Sequence, residues 1–242
     1  MKISHLNSSS RLKALVAATP VLGLAARSIA RIPVVEEFRR RFGFEGSSSY
    51  WEKRYQAGGS SGSGSFGRLA RFKAQVVNEY VEKHGIESVL EFGCGDGAQL
   101  ALACYPRYVG IDVAEGSIAA CGQRFKEDPT KRFFLSGQIP AELGLFDLVL
   151  SLDVIYHLVE DDIYEAYMRS LFAYAGRFVI IYSSNSATPS DAPHVRHRHF
   201  TQWIRDNQPL WKETGFLPNK YPFDPARADE TSFADFYFFA QH

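Results

Sequence analysis

The chain has 242 residues, enough for one α/β domain with an extension when domains run roughly 100–200 residues. Apolar residues make up 45%, which suffices for a sizeable core. The 27 basic residues balance the 27 acidic ones, which argues against a general nucleic-acid surface. The balance hides an asymmetry. In residues 1–44, Lys2, Arg11, Lys13, Arg27, Arg31, Arg39, Arg40 and Arg41 face only Glu36 and Glu37, so the remainder is net acidic. Cys94, Cys104 and Cys121 form an odd set without metal-type spacing. They read as thiols of a reducing compartment, and no metal site is expected.

Residues 1–46 read as one or two short helices broken near Pro20 and Pro33. Residues 1–49 as a whole form a basic amphipathic extension, with Leu22, Leu24, Ile29, Ile32, Val35 and Phe38 interleaved with arginines. Two readings stand: a helix packed on the rest of the chain, or a peripheral contact of residues 1–46 with anionic lipid at the inner membrane face. No run reaches the roughly 18 apolar residues of a spanning helix. The basic residues after the apolar stretch 14–26 weigh against a secretory signal, so the expected location is cytoplasmic.

A second unit is expected over residues 50–242. It opens with Tyr50-Trp51-Glu52-Lys53-Arg54-Tyr55 and then residues 57–67, almost all glycine and serine. Composition alone makes 57–67 a flexible loop. It is either a plain linker or a lid. Leu69, Phe72, Val76, Val77 and Tyr80 carry helical spacing over residues 68–83, and His84-Gly85 ends that helix. Next come a strand at 88–92, a helix from about Ala98, a strand at 107–111 and a helix over about 115–126. Strands follow at 132–135 and 146–152, then a helix over 161–174 and a strand at 178–182. A helix starts near Thr201, and a phenylalanine-rich strand covers 233–240. Alternation of strands and helices predicts a doubly wound, mostly parallel sheet.

The most specific stretch is Val89-Leu90-Glu91-Phe92-Gly93-Cys94-Gly95-Asp96-Gly97. An apolar run ends in an acid, three glycines alternate, and about 20 residues after Glu91 a second apolar run closes on Asp112. Glycines let the backbone approach a ligand, and one carboxylate can accept bonds from both hydroxyls of a ribose. The spacing is G-x-G-x-G, not the G-x-G-x-x-G of dinucleotide sites.

In this spacing, in Gly110-Ile111-Asp112, and in segments 146–158 and 178–182, the chain resembles the class I S-adenosylmethionine-dependent methyltransferases. The resemblance implies a Rossmann-like, seven-stranded, mostly parallel sheet with a C-terminal antiparallel strand. It implies S-adenosyl-L-methionine as cofactor. It places Glu91, Gly93, Cys94, Gly95 and Gly97 at the donor turn, Asp112 and Val113 at the ribose, and Gln138 where many members hold an acid at the adenine. Ser151 falls in the donor wall, and Tyr55 among the aromatics that cover the cofactor. Residues 50–67 and 194–203 also resemble a bacterial subgroup associated with surface-polysaccharide and glycan biosynthesis.

A base helps to take the proton if the acceptor is a hydroxyl, and histidine suits that task near neutral pH. His157 lies just past the fourth strand. His194 and His197 lie in His194-Val195-Arg196-His197-Arg198-His199, a run that reads as an anion or sugar-phosphate site or as a solvated charge run. The expected activity is methylation of a hydroxyl or phosphate on a sugar, glycan or small polar acceptor. N-methylation and a non-catalytic binding protein are the rivals.

Overall fold

The computed structural model describes residues 46–192 and 194–242. The helices read over residues 1–45, and the membrane contact assigned to them, lie outside the described residues. No helix among the described residues is long and apolar enough to cross a membrane.

Helix α1 spans Ser47–Gln56 and α2 spans Gly67–His84. Strands β1 (Ser88–Phe92) and β2 (Arg107–Asp112) precede α3 (Glu115–Arg124). Strands β3 (Lys131–Leu135) and β4 (Phe146–Leu152) lead to α4 (Asp161–Ala173). Strand β5 (Ala175–Ser183), helix α5 (Phe200–Asn207) and strands β6 (Trp211–Leu217) and β7 (Asp235–Gln241) complete the chain. The seven strands form one sheet in the order β3-β2-β1-β4-β5-β7-β6. Strands β1 to β5 are parallel, and β7 runs antiparallel between β5 and β6. This is the expected Rossmann-like sheet with its C-terminal antiparallel strand.

Alternation along the strands splits the core in two. Leu90, Val149, Val179 and Ile181 pack with Met168, Leu171 and Phe172 of α4. Val89, Leu148, Leu150 and Ile180 face Val77 and Val81 of α2. Helix α2 buries Leu69, Lys73, Val77 and Val81 at i+4 spacing, so a lysine occupies one position of its apolar stripe. Gly85 ends it in the left-handed region at φ 57°, with Ile86 N donating to Val81 O at 3.0 Å.

Two elements depart from the sequence reading. Only a single turn, Leu100–Leu102, forms where a helix from Ala98 was expected. Pro106 disfavours helical backbone just before it. Asn78 of α2 also binds this backbone, donating to Leu102 O at 3.0 Å and accepting from Cys104 N at 2.9 Å. Strand β6 was not foreseen. As an edge strand it leaves Lys212, Glu213 and Thr214 in water, so it carries no apolar alternation to read.

Candidate functional site

The site lies at the C-terminal ends of β1, β2 and β4. Connections leave β1 toward β2 on one side and reach β4 on the other, and such a reversal opens a crevice. After β1 the backbone turns through Gly93 (φ 83°) and Gly95 (φ 58°), a conformation that L side chains rarely adopt. Space forbids a side chain as well. A Cβ on Gly93 would lie 2.4 Å from Val154 Cγ2, and one on Gly95 would lie 2.3 Å from Ser61 Oγ. Gly93 N and Cys94 N both donate to Ile111 O, at 2.7 and 3.1 Å. Asp112, at the end of β2, accepts from Gly95 N at 2.9 Å and from Ala114 N at 3.0 Å. Burial pushes the pKa of Asp112 up. Its oxygens keep further lone pairs for a ligand.

Glu91 is buried beneath this turn and accepts from the Tyr108 hydroxyl at 2.6 Å. Burial pushes its carboxyl up to about 7, against the Tyr108 hydrogen bond and the Lys73 charge, which pull it down.

Helix α1 and the glycine/serine loop cover the turn. Ser61 Oγ accepts from Asp96 N at 3.0 Å and pairs with the Tyr55 hydroxyl at 3.0 Å, while Ser61 N donates to Asp96 Oδ2 at 3.3 Å. Arg54 Nε holds the loop from the other side through Ser60 O at 2.7 Å. The base of α1 is fixed where Ser47 N and Oγ donate to Glu160, at 2.9 and 2.5 Å. The cavity beneath encloses about 110 Å³.

The far wall is the turn after β4. Among the described residues, Asp153 is the one residue other than glycine with a positive φ, 61°. Its Oδ2 accepts from Lys73 Nζ at 2.5 Å and its Oδ1 from the Tyr156 hydroxyl at 2.8 Å. Lys73 is 1% exposed, and both members of this ion pair line the cavity. His157 follows. Its ring meets the edge of Trp51 at 5.0 Å and lies parallel to His194 at 5.6 Å, and Tyr50 stacks on His194 at 4.5 Å. His157 Nδ1 is 3.0 Å from His194 O, and a carbonyl only accepts, so Nδ1 carries the hydrogen and Nε2 the lone pair. Burial holds His157 down at about 4, against that hydrogen bond.

The run 194–199 clamps this wall. Arg196 N donates to Tyr156 O at 2.7 Å. Arg196 Nη1 donates to Val159 O at 2.8 Å and pairs with Asp161 at 3.0 Å. Arg198 donates to Leu158 O and Val159 O and pairs with Asp161 at 3.1 Å. Both guanidiniums thus bind backbone carbonyls and share the single carboxylate of Asp161, and both line a surface groove. His197 Nδ1 meets Ser184 Oγ at 2.6 Å, and burial lowers its pKa.

Of the residues singled out from sequence, Tyr55, Glu91, Gly93, Cys94, Gly95, Asp112, Val113 and His157 line the cavity together. The others fall elsewhere. Gly97 faces Phe125 and Cys121. Ser151 is buried inside β4, accepting from the Tyr167 hydroxyl at 2.8 Å. Gln138 is exposed, and Ser136 two residues earlier lines the cavity instead. His194 stands behind His157, and His197 lies in a separate surface groove. Lys73, Asp153 and Ser61 were not foreseen as site residues. A lysine in the apolar stripe of α2 was the available signal for the first. Among the described residues no group of three or more His, Cys, Asp or Glu side chains could hold a metal ion.

Residues 89–175 match the family model described as a methyltransferase domain. Over that span the chain is similar to S-adenosylmethionine-dependent methyltransferases, whose cofactor is S-adenosylmethionine. The glycine cradle, which a Cβ would fill, and the Asp112 carboxylate fit that cofactor. Among curated proteins, the small RNA 2'-O-methyltransferases of Rattus norvegicus and Mus musculus are each 25% identical over 59% of this chain and 41% of their own length. The chain therefore spans less than half of these relatives. The methyltransferase domain of bacterial CtHen1-C superposes with a TM-score of 0.57 at 18% identity, over 72% of this chain and 99% of that one. The N-methyltransferase NodS of Bradyrhizobium japonicum WM9, in complex with S-adenosyl-L-homocysteine, gives 0.57 at 19% identity, over 72% and 87%. Magnesium protoporphyrin IX methyltransferase of Synechocystis PCC 6803 gives 0.53 at 18% identity, over 71% and 83%. These likenesses show a shared fold.

Proposed function

We propose that this methyltransferase domain methylates a hydroxyl on a sugar, glycan or other small polar acceptor. S-adenosylmethionine supplies an electrophilic methyl on a sulfonium, so the protein mainly orients the partners and excludes water. The observation that carries the reading is a single covered cavity lined by the glycine turn and Asp112 on one side and by Asp153 and His157 on the other. Gly93 and Gly95 admit the methionine part of the cofactor, and Asp112 takes the ribose hydroxyls. Glu91 shapes the turn from below. Val113 and Ser136 wall the adenine side, and the exposed Gln138 lies outside the cavity lining.

A sugar hydroxyl is favoured on one ground. The curated relatives are named for methylation at a ribose 2'-oxygen, which is a sugar hydroxyl. Incubation with methyl-labelled donor and panels of saccharides, nucleosides and amines tests this. Label in ethers of saccharides or nucleosides is expected. Label in amines alone would replace O-methylation by N-methylation.

A further inference from the structure

The buried ion pair behind the cavity is unexplained by cofactor binding. A charged amine inside an apolar helix stripe costs stability unless it is paired, and a hydrophobic residue would pack there at least as well. Lys73 nevertheless stands between Leu69 and Val77, 1% exposed, with its charge on Asp153 Oδ2 at 2.5 Å. Asp153 bears a second cost. Its backbone lies in the left-handed region at φ 61°, and strain of this kind persists where surrounding structure enforces it. Here β5 enforces it, with Asp153 N donating to Tyr182 O at 2.9 Å. The result is a carboxylate gripped from two sides, by Lys73 on one oxygen and Tyr156 on the other. It remains 19% exposed toward the cavity. The loop above is glycine where it passes, since a Cβ on Gly64 would sit 3.0 Å from Asp153 Oδ2. The next residue, Val154, packs against Gly93. Asp153 thus sits beside the donor turn with lone pairs to spare.

We propose that Asp153 receives the acceptor group at the point of transfer and that Lys73 is its positioning residue; this rests on the methyl-donor reading above. For a hydroxyl acceptor, its oxygen forms the new bond to the methyl carbon and the carbon–sulfur electron pair stays with sulfur. The hydroxyl proton passes to the Asp153 carboxylate and on to water. His157 keeps its Nε2 lone pair, but its ring is packed against Trp51 and His194. It walls the acceptor and leaves the proton to Asp153.

The test needs no acceptor. Sinefungin carries a primary amine on carbon where S-adenosylmethionine carries its methyl on sulfur, so it presents a hydrogen-bond donor at the point of transfer. Isothermal titration compares sinefungin with S-adenosylhomocysteine on the full chain. One charge-assisted hydrogen bond predicts that wild type prefers sinefungin by about tenfold. Asp153→Asn keeps the left-handed backbone accessible. It should bind S-adenosylhomocysteine within about threefold of wild type and lose the preference for sinefungin. Equal affinity of wild type for the two ligands, or a preference that survives Asp153→Asn, would overturn the proposal and leave the donor site intact. A preference abolished by His157→Gln instead would move the role to His157. Failure of wild type to bind either ligand would overturn the methyl-donor reading itself.

Discussion

Glu91 and His157 show how burial sets chemistry one residue at a time. The folded-state pKa of Glu91 is about 7, above its ordinary 4.5, so between those values the folded chain holds a proton that the unfolded chain releases. Its contribution to stability is full below about pH 4.5 and is lost as pH rises through 7. The loss amounts to up to about 3 kcal/mol by the conversion of pKa shift to energy. His157 has the opposite sign. Its folded pKa of about 4 lies below the ordinary 6.5, so stability is lost as pH falls from 6.5 toward 4. Denaturant melts of wild type and Glu91→Gln from pH 5 to 8 should diverge, with wild type losing stability relative to the variant as pH rises. Parallel curves would mean that Glu91 titrates normally. Lys73→Met should cost roughly 3 kcal/mol, because it strands a charge-paired carboxylate. A cost near zero would show that the pair is not held as described.

At the scale of elements, the loop of residues 57–67 does more than join α1 to α2. Ser61 exchanges hydrogen bonds with Asp96, and Ser61 and Ser65 line a cavity of about 110 Å³. Small-molecule sites usually measure roughly 300–1,000 Å³. A nucleoside-sized cofactor therefore enters with this loop displaced, and we propose that the loop acts as a lid. Protease cleavage within 57–67 should slow severalfold when S-adenosylhomocysteine saturates the protein, and Ser61→Ala should weaken that protection. Cleavage insensitive to the ligand would return the loop to a plain linker. Elements were unevenly legible in the sequence. Strands β1, β2, β4 and β5 are buried on both faces, so their apolar runs announce them. Strand β6 is an exposed edge and announces nothing. The turn at Leu100–Leu102 mimicked a helix, because only Asn78, far away in sequence, reveals how that backbone is satisfied.

At the scale of the whole molecule, sheet order places everything else. The reversal between β1 and β4 brings the glycine turn beside Asp153 and His157, some 60 residues apart in sequence, and α1 and the loop then close over both. The glycine-turn wall of this cavity was legible because glycine spacing and a strand-end acid are local signals. The opposite wall was not, because its ion pair joins α2 to the end of β4 across 80 residues. The 194–199 run was half legible for a related reason. Its arginines read as an anion site or as a solvated charge run, and their partners at Leu158, Val159 and Asp161 lie some 40 residues away in sequence. The central claim is that the cavity at this reversal binds the methyl donor through Asp112. Isothermal titration of wild type and Asp112→Ala with S-adenosylhomocysteine tests it most directly. Wild type should bind, and Asp112→Ala should weaken binding by at least about tenfold, the worth of a charge-assisted hydrogen bond to ribose. No binding by wild type, or equal binding by the variant, would contradict the account.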